Sequence, residues 1–172
     1  MRGIIIRGDH SVMRRANNWV APRWMRAYVI ASTRAGDGWL WYAMGFCVLL
    51  FGGDDRYQAL GSAGTAAVLS ILLFLTLKRF TGRRRPCEIE PHCWATLLPP
   101  DQFSFPSGHT MTAFAVSLPL SLYYPDLAAG LFFCALSIAL SRILLGMHFL
   151  SDVIVGALLG MGLGYLAFVV FQ

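Results

Sequence analysis

The chain has 172 residues, 56% of them hydrophobic and only 13% charged, with a mean hydropathy of +0.57 and a net charge of +5. A soluble domain carries about 25% charged residues, so this composition does not wrap one water-soluble core. The aliphatic and aromatic content excludes a disordered chain, and four cysteines over this length exclude a disulfide-dense miniprotein. What remains is an all-α, polytopic membrane bundle. Residues 1–36 come first, with seven arginines. Arg2 and Arg7 flank only Ile4-Ile5-Ile6, too short for the apolar core of a cleavable leader, so insertion is expected through internal spans. Val12, Ala16, Trp19 and Val20 share one helical face, with Arg14, Arg15 and Asn18 opposite. That pattern predicts a helix lying in the membrane interface, broken at Pro22 and followed by a short piece over 23–31.

About 20 apolar residues cross a bilayer as a helix. Continuous apolar runs predict five spans: 38–53, which is short, then 57–77, 107–124, 127–147 and 149–171. None alternates with period two, as barrel strands would. Gly156, Gly160 and Gly164 recur every fourth residue in the last run, a spacing that lets helix backbones approach closely. The longest polar stretch, 79–105, contains Pro86, Pro91, Pro99 and Pro100 and is expected to be irregular. The division is therefore a basic interfacial segment, 1–36, and a transmembrane domain, 37–172.

Ionisable residues are sparse in such a chain, so the places where they collect are informative. Lys78, the only lysine, precedes Arg85-Pro86 by seven positions. Pro106-Ser107-Gly108-His109 opens the third span, and Ser141-Arg142, His148 and Asp152 join the last two. With alternating spans, all three groups fall at one mouth of the bundle. Lys78, Arg85 and Arg142 supply cations there, and arginine clamps phosphate with two parallel hydrogen bonds. Ser107 and Gly108 open a helix whose free N–H groups suit an anion, and Gly108 lets backbone come close to a ligand. His148 and Asp152, four apart, share a helical face, so a carboxylate can hold one imidazole nitrogen protonated and leave the other as nucleophile. His109 is placed to protonate a leaving group. The pattern reads as phosphoryl transfer through a phosphohistidine. Arg79, Arg83 and Arg84 read as headgroup-facing or solvated charges, and His10 and His92 as polar surface. The cationic neighbours of the histidines make a poor divalent site, so no metal and no cofactor are expected.

Eleven specified positions, in the order Lys78-x6-Arg85-Pro86, Pro106-Ser107-Gly108-His109 and Ser141-Arg142-x5-His148-x3-Asp152, resemble the three-part signature of the type 2 phosphatidic acid phosphatase (PAP2) superfamily. The resemblance implies His148 as nucleophile, Asp152 as its orienting partner and His109 as general acid. It implies Lys78, Arg85, Ser107, Gly108 and Arg142 as phosphate ligands, without a metal. Membrane members commonly have six spans against the five counted here, a layout similar to small bacterial lipid-phosphate and undecaprenyl-diphosphate phosphatases.

The expected activity is hydrolysis of a lipid phosphomonoester or diphosphate, of the undecaprenyl diphosphate, phosphatidic acid, phosphatidylglycerol phosphate or lipid A phosphate type. The expected partners are that lipid and the bilayer, with no nucleic acid. A lipid phosphotransferase would share the intermediate. Vanadium haloperoxidases share the phosphate-binding signature but are large and soluble. A non-catalytic lipid-binding or transport bundle conflicts with intact His109, His148 and Asp152. Placement is expected in the bacterial inner membrane, multi-pass. Sidedness is contested: the motif face carries 13 of the 14 basic residues, which favours the cytoplasm, whereas the resemblance favours the periplasmic face and is preferred. Cys87 and Cys93 are close enough in sequence to bridge, or to remain two thiols; Cys47 and Cys134 read as packing residues within spans.

Overall fold

Each of the five apolar runs becomes a helix, and two amphipathic helices precede them. In the computed structural model, which describes residues 2–90 and 102–172, the order is α1 (Arg2–Asn18), α2 (Arg23–Ala35), α3 (Trp39–Phe51), α4 (Arg56–Thr81), the single-turn α5 (Pro86–Ile89), α6 (Gly108–Tyr123), α7 (Ala128–Leu144) and α8 (Leu150–Phe171). Among the described residues there is no strand. The segments carrying α4, α7 and α8 are long and apolar enough to cross a membrane; α3 is apolar but shorter. Their outer faces expose Val68, Leu72, Phe133, Leu140, Leu158 and Val169, as helices turned toward lipid must.

Helix α6 is the axis of the bundle, with α4, α7 and α8 packed around it and eleven of its residues buried. The small-residue stripe of α8 explains its closeness to α6. A Cβ on Gly156 would stand 2.8 Å from the Ser107 carbonyl oxygen, and one on Gly164 would stand 2.7 Å from that of Ala115. At Gly160 it would overlap the Met111 carbonyl. Only hydrogen fits along this seam, so the two backbones touch. Buried Ala113, Ala135, Ile138 and Val153 fill the space toward α7.

Two boundaries differ from expectation, and one helix face is defined. Helix α4 continues past residue 77, carries Lys78 on its last turn, and stops at Gly82, whose φ of +56° ends the helix in a left-handed turn. Pro22 caps α2 as its position predicts, but α2 runs on to Ala35 because Val29, Ser32 and Thr33 bury against α7. The inward face of α1 is Asp9, Met13 and Ala16; Val12 is half-buried, whereas Trp19 and Val20 are exposed. Spacings of four and three align those buried residues on the side that meets α7 and α8. His92 and Cys93, and with Cys93 the suggested Cys87–Cys93 pair, lie outside the described residues.

Candidate active site

The chain leaves α7 and turns back on itself at Gly146, where φ is +66°. This turn directs the N–H groups of Met147 and His148 to the Arg142 carbonyl, at 3.0 and 3.1 Å. His148 is thereby buried with a fixed ring. Its Nδ1 lies 2.5 Å from the Ser104 carbonyl oxygen. A carbonyl only accepts, so Nδ1 carries the proton and Nε2 presents its lone pair. That nitrogen faces Arg85 Nη1 at 3.3 Å. Burial, then the charges of Arg142, Arg85 and Lys78, hold the His148 pKa well below the usual imidazole range. The ring is neutral and surrounded by cations.

Asp152 stands one turn along α8, with Oδ2 3.9 Å from His148 Nδ1, beyond hydrogen-bond reach. The direct partner of Nδ1 is therefore the backbone of residue 104, a contact the sequence pattern does not reveal. Asp152 Oδ2 instead accepts the Phe149 N–H at 2.8 Å, capping α8, and Oδ1 accepts from Arg83 Nη1 at 2.6 Å. This corrects the reading of Arg83 as a headgroup-facing charge; Arg79 and Arg84 are exposed.

The three motifs are joined by backbone as well as by charge. The Ser107 N–H donates to the Asp152 carbonyl at 3.1 Å, and the Cys87 N–H to the Gly146 carbonyl at 3.0 Å. Arg85 Nη1 donates to the Met147 carbonyl at 2.8 Å, and Arg142 Nη1 to Thr33 Oγ1 at 2.5 Å. Lys78, Arg85, Ser107, Arg142 and His148 are all buried, and Lys78 Nζ sits 5.3 Å from the centre of the Phe74 ring. The Ser107 hydroxyl shares a hydrogen bond of 2.9 Å with that of Thr110. Because the Ser107 N–H is taken, any N–H that this helix start can offer an anion comes from Gly108 onward. Gly108 has a packing role too. A Cβ there would meet the Phe74 ring at 3.1 Å, so glycine lets α4 close over the start of α6.

His109, partly exposed in the first turn of α6, makes a 2.8 Å hydrogen bond from Nε2 to Asp37 Oδ1. Asp37 comes from the linker between α2 and α3. Its place between Gly36 and Gly38, just before the first span, is the one signal that could have marked it. Beside His109 an open cleft of about 320 Å³ is lined by Trp41, Tyr42, Ile71, Phe74 and Val116. His10 packs on Phe149, with ring centres 5.5 Å apart. Among the described residues no three His, Cys, Asp or Glu side chains are grouped as a metal site requires.

Buried cations around a neutral histidine, with a second histidine at a helix start, define a phosphate-handling helical bundle. A profile of the PAP2 superfamily matches residues 59–172, and the chain belongs to that superfamily. It is 31% identical over 160 residues to the lipid A 1-phosphatase of Rhizobium johnstonii, covering 81% of this chain and 65% of that protein. It is 36% identical over 105 residues to the decaprenylphosphoryl-5-phosphoribose phosphatase of Mycobacterium tuberculosis, covering 59% of this chain and 55% of that one. The chain thus spans less than two thirds of the length of these relatives. Among solved structures it resembles Aquifex aeolicus LpxE, with a TM-score of 0.79, 30% identity, and coverage of 92% of this chain and 93% of that one. The transmembrane PAP2-type phosphatidylglycerolphosphate phosphatase of Bacillus subtilis superposes with a TM-score of 0.72 at 25% identity, over 95% of this chain and 84% of that one.

Proposed function

We propose that this chain is a lipid phosphatase that transfers the phosphoryl group of a membrane lipid to His148 and then to water. The observation that carries the reading is the fixed tautomer of His148: Nδ1 donates to the Ser104 carbonyl, and Nε2 faces Arg85. In the first step Nε2 bonds to phosphorus while the bond to the leaving oxygen breaks, and that oxygen takes the proton of His109. In the second, His109 removes a proton from water, whose oxygen displaces the phosphoryl group from Nε2. Lys78, Arg85, Arg142 and the first amides of α6 hold the equatorial oxygens, whose charge they offset in both transition states. Asp37 supports His109 in its protonated form by accepting its hydrogen bond.

The cleft beside His109 suits the part of the lipid next to the phosphate, because His109 forms its wall and its lining is otherwise largely apolar. The tail then leaves toward the bilayer past Ile71 and Tyr42, both exposed. A glycolipid 1-phosphate is the first candidate, given the alignment with a lipid A 1-phosphatase over 81% of this chain. Undecaprenyl diphosphate, phosphatidylglycerol phosphate and phosphatidic acid complete the set. Phosphate release by the purified protein from these four lipids, with a chelator present, tests the reading. Turnover of at least one is expected, and turnover of none overturns it.

The site is proposed to face the periplasm. The arginine excess on that face is the argument for the cytoplasm, but part of it is turned inward: Arg85 and Arg142 are buried, and Arg83 is half-buried between Asp9 and Asp152. These three have work inside the protein, so the raw arginine count overstates the topological bias. In a cysteine-free background on intact spheroplasts, Gln102→Cys should react with an impermeant thiol reagent and Asp54→Cys should not. The reverse pattern would place the site in the cytoplasm.

A further inference from the structure

Asp9 is the only acid in the first 36 residues, and it is 3% exposed. Its Oδ1 accepts the Ser151 N–H at 2.9 Å, and its Oδ2 accepts the Ser151 hydroxyl at 2.6 Å and Arg83 Nη2 at 2.7 Å. The other arm of the same guanidinium, Nη1, donates to Asp152 Oδ1 at 2.6 Å and to the Ser151 hydroxyl at 2.8 Å. The face of Arg83 lies over the Phe149 ring, 4.3 Å from its centre. Both arms and one face of Arg83 are thus committed, and one of its two anchors belongs to α1. Chain positions 9, 83 and 152 form a carboxylate–guanidinium–carboxylate chain that ends one turn from the nucleophile.

From this geometry we infer that Asp9 is a positioning residue for His148, acting through Arg83 on the Asp152 carboxylate. The inference rests on the phosphohistidine reading above. It makes the docked N-terminal helix part of the machinery that aims the imidazole. Arg83 between two carboxylates is held from both sides; with one anchor neutral, its guanidinium is held by Asp152 alone, and the Asp152 carboxylate, otherwise tied through Oδ2 to the Phe149 N–H, gains freedom to shift relative to the imidazole 3.9 Å away. A clasp that only ties α1 to α8 would be a different device. It would affect folding or the whole anion site, not the aim of one nitrogen.

Orthovanadate and sulfate separate the two. Vanadate binds such a site tightly only by bonding to an aimed Nε2, whereas sulfate needs only the cations. Binding of each to the full-length protein in detergent, followed by thermal shift and isothermal titration, is compared for wild type, Asp9→Asn, Arg83→Met and the double variant. Asp9→Asn is expected to weaken vanadate by about tenfold to a hundredfold, the usual cost of a misplacement near 1 Å, with sulfate affinity within about twofold. Arg83→Met should produce a similar loss, and the double variant should lose no more than Arg83→Met alone. Equal vanadate affinity in Asp9→Asn and wild type overturns the inference. So does a parallel loss of vanadate and sulfate, or losses that add in the double variant. A wild type that binds vanadate no more tightly than sulfate instead overturns the phosphohistidine reading, and the inference with it.

Discussion

The two ends of the bundle use the same residue types in opposite ways. At one end Asp54, Asp55 and Asp126 lie in the turns that join α3 to α4 and α6 to α7, all exposed, and Arg56 rests on the Tyr57 ring at 5.0 Å. At the other end Lys78, Arg85 and Arg142 are buried around His148, and Arg83 is held between Asp9 and Asp152. Exposed charges keep their hydration and contribute little, about 0–1 kcal/mol for a surface pair. Buried cations lose that hydration, a cost that a membrane protein bears mainly where function requires it. The difference teaches that burial, more than charge count, marks the working end.

The sharpest way to break the comparison is to mutate both ends. His148→Ala should reduce turnover on any lipid phosphate by about a thousandfold or more, the scale of losing a covalent nucleophile. Asp55→Asn should leave turnover unchanged. Normal phosphate release by His148→Ala would remove the working end altogether. Next in size are the arginines. Arg85→Lys and Arg142→Lys should each lower kcat/KM by about tenfold to a hundredfold, because a point charge does not reproduce a planar fork. Arg56→Lys should change it less than about twofold. If all three behave alike, the buried arginines act only as general electrostatic attraction.

The packing contrast within α8 is sharper still in geometry, though smaller in effect. Gly160→Ala should destabilise the bundle by about 1–3 kcal/mol through overpacking against Met111. Gly162→Ala, where nothing lies within 4 Å of the added methyl, should be neutral or slightly stabilising. Chemical unfolding in mixed micelles checks both, and equal midpoints would show that the seam has slack. The smallest effect is expected at Asp37. Asp37→Asn keeps an acceptor for His109 but removes a charge, and should lower kcat by roughly fivefold with KM little changed. An unchanged kcat would make the contact merely a loop tether.

Much of this was legible in the residues. Apolar runs of the right length located α3, α4, α6, α7 and α8, because a bilayer-facing helix must be apolar almost throughout. The three motifs were readable because each carries side chains that a membrane segment does not hold without cause. What escaped reading depended on contacts between distant segments. Arg83 reads in sequence as a surface charge like Arg79 and Arg84, but α1 and α8 supply carboxylates to it from 74 and 69 positions away. The Ser104 carbonyl that fixes His148 is backbone, and backbone leaves no trace in sequence. The face of α1 that packs on the bundle was not legible either: Asp9, Met13 and Ala16 turn inward, whereas Trp19 and Val20, expected on the apolar interfacial face, are exposed.

The seam between α6 and α8 also bears on how members of this architecture can diverge. Backbone touches backbone there, and the Ser107 N–H is bonded to the Asp152 carbonyl, so the inner wall of the site admits no larger side chain and no shift in register. The cleft's outer wall is different: Trp41 and Tyr42 on α3, and Ile71 and Phe74 on α4, meet the lipid space with side chains alone. Accommodation of a bulkier or thinner tail therefore has one wall on which to work. On the proposed reading, the wall that carries the chemistry is a fixed casting, and changes in the choice of lipid would be cut on the facing side.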